Sequence, residues 1–379
     1  MSRAAVEDRP GLSRLSRLTR HDLGLYVAAG GASVVGALLV WSATSRTDGT
    51  AYLVRHLLTA AVGLATALLV SRLGQHRVRL AAPWAYAGSL LALLAVLTPV
   101  GRTVNGSRSW IPLVGGFTLQ PAELAKVGLC LALAALLAGQ AERGLAPGTR
   151  EVFLAGGLVA LPTGLVLLQP DLGSAAVVVA LGVVVVTVAG VPRRWLVGAA
   201  VLGVALVVVA LTTPLLSDYQ RDRLTSFADP SSDPQGAGYQ TRQVRLAIGA
   251  GGMWGQGFMA GERTQGGYVP FQLNDFVFSV AGEELGFVGA SGLLVLLGFV
   301  VVRVLVVAAR ARDPFGRLVG VGVATWFAVQ ILQNVGMNLG LVPVTGLPLP
   351  FVSYGGSSML VAWLAIGLVD AAHARAVPG

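Results

Sequence analysis

Residues 276–302 read FVFSVAGEELGFVGASGLLVLLGFVVV, twenty-seven residues in which Glu283 and Glu284 are the only charges. A helix needs roughly 17 to 25 consecutive apolar residues to cross the hydrocarbon core of a bilayer, and this run exceeds that without an interior break. Working outward, comparable runs lie at 23–43, 52–70, 81–99, 120–138, 152–168, 174–190, 195–213, 318–339 and 356–372. With the first, these predict about ten transmembrane helices and an all-α polytopic membrane protein. The composition agrees: 54% of the 379 residues are hydrophobic and 12% charged, more apolar material than one soluble core can bury.

The formal charge of +9 raises nucleic-acid binding and then removes it, because the Arg residues are spread over the short links between apolar runs. With the N-terminus inside, 17 of the 26 Arg fall on the cytoplasmic side and nine outside, five of those in one long loop where the bias has little force. Both termini are therefore expected in the cytoplasm. The basic tail 1–22 has no small-residue cleavage site and reads as retained; a single membrane domain covers 23–372, and 373–379 form a second tail. Cys130 is the only cysteine and the four His are scattered, so neither an intrachain disulfide nor a zinc site is expected.

Three external segments are unlike simple turns: about 101–119, 214–274 between the seventh and eighth spans, and 340–355. The long one begins with Asp218, Asp222, Asp229 and Asp233 in a Pro/Ser-rich run. It continues into Tyr239–Ile248, which reads as a short amphipathic helix on the membrane surface. Gly316 with Gly320 and Gly336 with Gly340 read as packing pairs of small residues. The glycine-rich GAGGMWGQG from Gly249 imitates a phosphate loop but follows no strand, so it carries no nucleotide reading.

Charges inside apolar spans are costly and hence rare unless paired or wetted. Glu123 and Lys126, the only lysine, stand three apart on one helical face and are expected to pair, either as a structural ion pair or as one wall of a polar cavity. Asp171 follows Pro170 at a helix start, where capping is the plain role. Asp275 precedes the eighth span, with Glu283 and Glu284 in its first turns; the plain role is helix initiation. The alternative is a general base, since a carboxylate at the rim of an apolar bundle is raised in pKa by desolvation. Arg108 beside Trp110, and Arg221, Arg223, Arg242, Arg245 and Arg263, could bind pyrophosphate through forked hydrogen bonds or remain solvated charge.

Four stretches carry a resemblance: NGSRSWIPLVGGFTLQPAELAK from Asn105, LLQPDLGSA from Leu167, YQTRQVRLAIGAGGMWGQGF from Tyr239 with DFVFSVAGEELGFVG from Asp275, and NVGMNLGLVPVTGLPLPFVSYGGSS from Asn334. In this order on ten helices, they are similar to the SEDS family of peptidoglycan glycosyltransferases, with the last run closer to the RodA than the FtsW type. The resemblance implies polymerisation of lipid II outside the plasma membrane, joining the disaccharide of an incoming lipid II to the reducing end of a growing glycan with release of undecaprenyl pyrophosphate. It assigns Asp275 as general base in an inverting displacement. It also implies a polar cavity shaped by Arg108, Trp110, Glu123, Lys126, Asp171, Glu283 and Ser353, with Arg242 and Arg245 holding phosphate. The implied partner is a class B penicillin-binding protein. No cofactor motif is readable; a divalent cation, Mg or Mn, could neutralise the pyrophosphate. One departure stands out: where many members read Pro-Glu-x-His/Arg-Thr-Asp, this chain has Phe271 and Leu273 in place of two polar residues. That change would raise the pKa of Asp275, alter acceptor binding or mark a divergent paralogue. The rival readings are a lipid II flippase and a non-catalytic scaffold. A flippase needs polar residues along a path across the bilayer, whereas these gather on one side.

Overall fold

The computed structural model describes residues 21–47, 49–104, 107–113, 117–213, 218–229 and 236–373. In chain order the apolar helices are α1 (Leu23–Thr44), α2 (Ala51–Leu73), α3 (Gln75–Leu97), α4 (Pro121–Glu142), α5 (Thr149–Leu167), α6 (Leu172–Val188) and α7 (Arg193–Thr212). After the long loop, with α8 (Asp218–Ala228), α9 (Ala237–Gly251) and α10 (Glu262–Gln265), come α11 (Val277–Arg310), α12 (Pro314–Leu339) and α13 (Gly356–His373). Eight of these are long and apolar enough to cross a membrane, and α6 and α13 are apolar but shorter by that measure. Helices are the form such runs must take, because inside lipid every backbone N–H and C=O needs a partner within its own segment.

α12 lies at the centre, packed against α4, α6, α11 and α13, while α13 pairs with α2. Small residues set the spacing of that last pair: a Cβ on Gly63 would lie 2.7 Å from the Trp363 ring, and one on Gly367 would lie 2.5 Å from the Ala67 carbonyl. At the other extreme, α7 has no buried residue, so most of its surface is left for lipid.

Several loop expectations change. Segment 101–119 contains a small antiparallel sheet, β1 (Arg102–Val104), β2 (Ser107–Pro112) and β3 (Thr118–Leu119), in the order β1-β2-β3. The Asp-rich run is helical over α8. The expected surface helix exists as α9, but it packs on α11 and buries Val244 and Ala247 against protein. Of the glycine pairs, Gly320 abuts Ala308 of α11, whereas Gly340 is the left-handed cap of α12 at φ 70°. Residues 1–20, Asn105, Gly106, Asp233 and the 374–379 tail lie outside the described residues.

α11 is 34 residues long and breaks at Gly286, whose φ of 67° and ψ of −168° only glycine adopts readily. The glycine-rich segment after α9 repairs the break. Phe287 and Val288 donate to the carbonyls of Gly252 and Met253 (2.9 and 3.1 Å), and Gln256 and Gly257 donate to those of Glu283 and Glu284 (2.9 and 3.0 Å). GAGGMWGQG is therefore a backbone splint for α11.

Candidate active site

Above the bundle, β1 and β2, the start of α6, α8, the turn before α11 and the loop between α12 and α13 enclose a cleft of about 290 Å³. Its charged lining is Arg102, Asp171, Arg223 and Asp275, with Trp110, Phe117, Phe271 and Tyr354 as aromatic walls.

The turn 271–276 aims Asp275. The carbonyl of Phe271 accepts from the N–H groups of Asn274, Asp275 and Phe276 (3.1, 3.2 and 3.3 Å), with Phe271 itself at φ 54°. A left-handed aromatic residue is strained, by about 1–3 kcal/mol, and persists only where its surroundings dictate it. Here the surroundings are polar ties. The Asp275 carbonyl accepts from Asn334 and Asn338 of α12 (2.9 and 3.2 Å), and Asn334 also donates to the Leu347 carbonyl at 2.7 Å. Ser353 donates to the Asn274 carbonyl at 2.5 Å, and Tyr354 N–H donates to the Leu273 carbonyl at 2.9 Å.

Opposite the carboxylate, Gly346 forms the surface. A Cβ there would sit 3.5 Å from Asp275 Oδ2 and 3.7 Å from Arg223 Nη1, so both groups border the same small space. Arg223 is anchored by donating to the Val344 carbonyl at 2.7 Å. Desolvation pushes the Asp275 carboxyl up to about 6, against the opposing pull of the Arg223 guanidinium and with a further push from the Asp171 charge. Asp171 caps α6 as its position suggested: Oδ1 accepts from Ser174 N–H at 2.9 Å, and Oδ2 accepts from Ser174 Oγ at 2.7 Å and Gln120 Nε2 at 3.2 Å. It also lines the cleft, because Gly173 lets the first turn of α6 close onto Thr345 and Leu347.

The structure therefore brings Asp275, Asp171, Trp110 and Arg223 together at the cleft and places the other sequence candidates off its lining. Glu123 and Lys126 form their ion pair at 2.7 Å, with side-chain exposures of 1% and 0%, in the interior and off the cleft lining. Lys126 donates to Gln330 at 2.7 Å and lies 4.8 Å from the Trp326 ring centre. Arg108 donates to the Gly101 and Leu97 carbonyls (3.1 and 3.5 Å), satisfying the end of α3. Glu283 is fully buried and accepts from the N–H groups of Arg263 and Thr264 and the Thr264 hydroxyl (2.8, 2.8 and 2.6 Å), holding α10. Arg242 is exposed, and Arg245 donates to the Gly340 carbonyl at 2.8 Å at the end of α12. Ser353 lies beneath the 271–276 turn and supports it.

Sequence reasoning passed over Arg102, Gly346, Asn334 and Asn338 and did not separate Arg223 from its neighbours. The two Asn had a readable signal, a polar pair four apart in an apolar helix. Arg223 had none, since nothing local sets it apart from Arg221. Among the described residues no three His, Cys, Asp or Glu converge as metal ligands, and Asp171 and Asp275 are the only carboxylates on the cleft lining.

Comparison with known proteins places this architecture. The peptidoglycan glycosyltransferase MrdB of Escherichia coli K12 is 36% identical over 341 residues, 90% of either chain. A probable peptidoglycan glycosyltransferase FtsW of Trichlorobacter lovleyi is 34% identical over 362 residues, 93% of either chain, so identity does not separate the two types. Among solved structures, a chain of a peptidoglycan synthase complex that coordinates polymerization and crosslinking superposes with a TM-score of 0.79 at 37% identity, over 94% of this chain and 98% of that one. The rod shape determining protein RodA of Thermus thermophilus superposes at 0.69 and 34% identity, over 93% and 96%. The model of the FtsW/RodA/SpoVE cell cycle proteins matches residues 18–376, and the chain belongs to that family.

Proposed function

We propose that this chain is a peptidoglycan glycosyltransferase that polymerises lipid II, with Asp275 as general base. The observation that supports it most is the juxtaposition of a raised carboxyl and an arginine across Gly346 in an aromatic-walled cleft. The acceptor sugar hydroxyl attacks the anomeric carbon of the growing strand, its proton passes to Asp275, and the bond to the pyrophosphate oxygen breaks. Undecaprenyl pyrophosphate leaves with the bonding pair, and the anomeric centre inverts in one displacement. A base with a pKa near 6 is ionised at pH 7 yet retains more proton affinity than an ordinary aspartate. Arg223 and Arg102 would hold the pyrophosphate, and the aromatic walls offer flat faces to the sugar rings. A divalent cation arriving with the donor would meet Asp275 and Asp171, although both oxygens of Asp171 already accept hydrogen bonds.

The orientation rests on the Arg bias: both termini cytoplasmic, with the cleft facing outside the plasma membrane. Elongation and shape maintenance is the process we favour, with a class B penicillin-binding protein crosslinking the product. The test is polymerisation of purified lipid II by the parent and Asp275→Ala, alone and with a transpeptidase partner that lacks glycosyltransferase activity. Polymer from the parent and none from a folded variant supports the reading. A parent that moves lipid II across vesicles without polymerising it would make the chain a flippase, and a parent inert in both assays would make it a scaffold.

A further inference from the structure

A second pocket, of about 300 Å³, lies at the other end of the bundle, lined by Gln75, His76 and Arg79 of α3, Arg312 and Asp313 before α12, and Ala372. α12 runs from this pocket to the asparagines under Asp275, and the 20 to 24 residues from Pro314 to Asn334 and Asn338, at about 1.5 Å each, put the two sites roughly 30–36 Å apart. The pocket is therefore separate from the cleft.

Three features of its lining point to one class of ligand. Two long helices begin here, α3 after Gly74 and α12 after Asp313, and neither has a side-chain cap, so backbone N–H groups and the positive ends of two dipoles face the same region. Gln75 is 8% exposed, and its Nε2 has no hydrogen-bond partner among the described residues. That amide lies against the first turn of α12, where a Cβ on Gly316 would come within 2.5 Å of it. A buried donor left unmade is costly, and none of the described residues accepts from it. Finally, the cations outnumber the acids. Arg79 spends one N–H on Glu142, Arg312 is exposed, His76 is exposed, and Asp313 is the acid on the lining. An unpartnered amide and an exposed arginine, at the N-termini of two long apolar helices, fit an anion with several oxygens held at the membrane surface.

We infer that this pocket binds the phosphate of an anionic phospholipid headgroup, with Gln75 and Arg312 donating to its oxygens and the α3 and α12 N-termini facing it. Basic pockets between transmembrane helices recognise anionic lipids in this way, each arginine near the surface contributing about fivefold in affinity. The inference does not depend on the catalytic reading.

The test titrates the detergent-solubilised full chain with phosphatidylglycerol, phosphatidylcholine or inorganic phosphate and follows first-adduct affinity by native mass spectrometry. The parent should prefer phosphatidylglycerol over phosphatidylcholine. Arg312→Gln should lower that preference about fivefold, and Arg312→Gln with Gln75→Met should lower it further. Phosphatidylcholine, which carries the same phosphate but a choline cation that cancels its charge, should lose less. Arg77→Gln, an exposed arginine off the pocket, should leave the preference intact. Should the double variant fail to fold, Arg312→Gln alone carries the test. Equal affinity of the parent for both lipids, or an equal loss from Arg77→Gln, overturns the inference. So does inorganic phosphate binding as tightly as phosphatidylglycerol, which would make the pocket a site for the free ion.

Discussion

Replacing Asp275 with asparagine should stabilise the protein while it removes activity. The carboxyl is raised from 3.8 to about 6, and at 1.36 kcal/mol per pH unit the ionised form costs up to about 3 kcal/mol of folding free energy. The sign follows from proton counting. Between pH 3.8 and about 6 the folded state keeps a proton that the unfolded state has released, so stability falls as pH rises through that window and is level above it. Asparagine has the same shape and no charge to desolvate. At pH 8 Asp275→Asn should therefore melt above the parent, by roughly 3–6 °C for a chain of this size, and at pH 3.5 the two should coincide. Loss of a general base should lower polymerisation by about 10²- to 10⁴-fold in the same preparation. Thermal unfolding of the detergent-solubilised proteins across that range measures the gap. A variant that melts at or below the parent at pH 8, or a gap independent of pH, refutes the claim that this carboxylate is held against a desolvation cost.

The parent's kcat/KM should rise with pH through about 6 and level off above, and Arg223→Gln should move that limb to higher pH, because the guanidinium now favours the ionised carboxylate. Arg242→Ala, an exposed arginine off the cleft, should leave polymerisation within about twofold of the parent in the same assay. Lys126→Met should destabilise by about 3–5 kcal/mol in chemical denaturation by leaving Glu123 charged and buried, and Glu123→Gln added to it should restore most of that loss. Asn334→Ala removes the donor to the Leu347 carbonyl and one of the two to the Asp275 carbonyl; it should cost about 1–3 kcal/mol and lower kcat more than it raises KM, since it loosens the turn that aims the base.

The helices were legible because the membrane leaves few choices. An apolar run of twenty residues has no alternative to satisfying its backbone internally, so the predicted 23–43 and 318–339 became Leu23–Thr44 and Pro314–Leu339. Local chemistry was legible for the same kind of reason. Asp171 had a helix start to cap, and Glu123 and Lys126 had a shared face on which to pair. The cleft was legible only in outline. Asp275, Trp110 and Gly346 lie in motifs that carry the family resemblance, but Arg223 does not, and Arg223 and Gly346 stand 52 and 71 positions away from Asp275.

What brings these residues together is packing that no local pattern encodes. α12 offers Asn334 and Asn338 to the carbonyl of Asp275, Gly173 lets α6 approach Thr345, and α8 carries Arg223 onto Val344. The same packing draws Arg108, Arg245 and Glu283 into holding helix ends, because an unpaired backbone group near the membrane costs more than a solvated charge gains. Hydropathy and helix periodicity are properties of contiguous residues, so the sequence alone specified which segments form apolar helices and where polar residues gather along the chain. Only the tertiary structure decided which of those polar residues face a common space, because that depends on the approach of helices far apart in the chain.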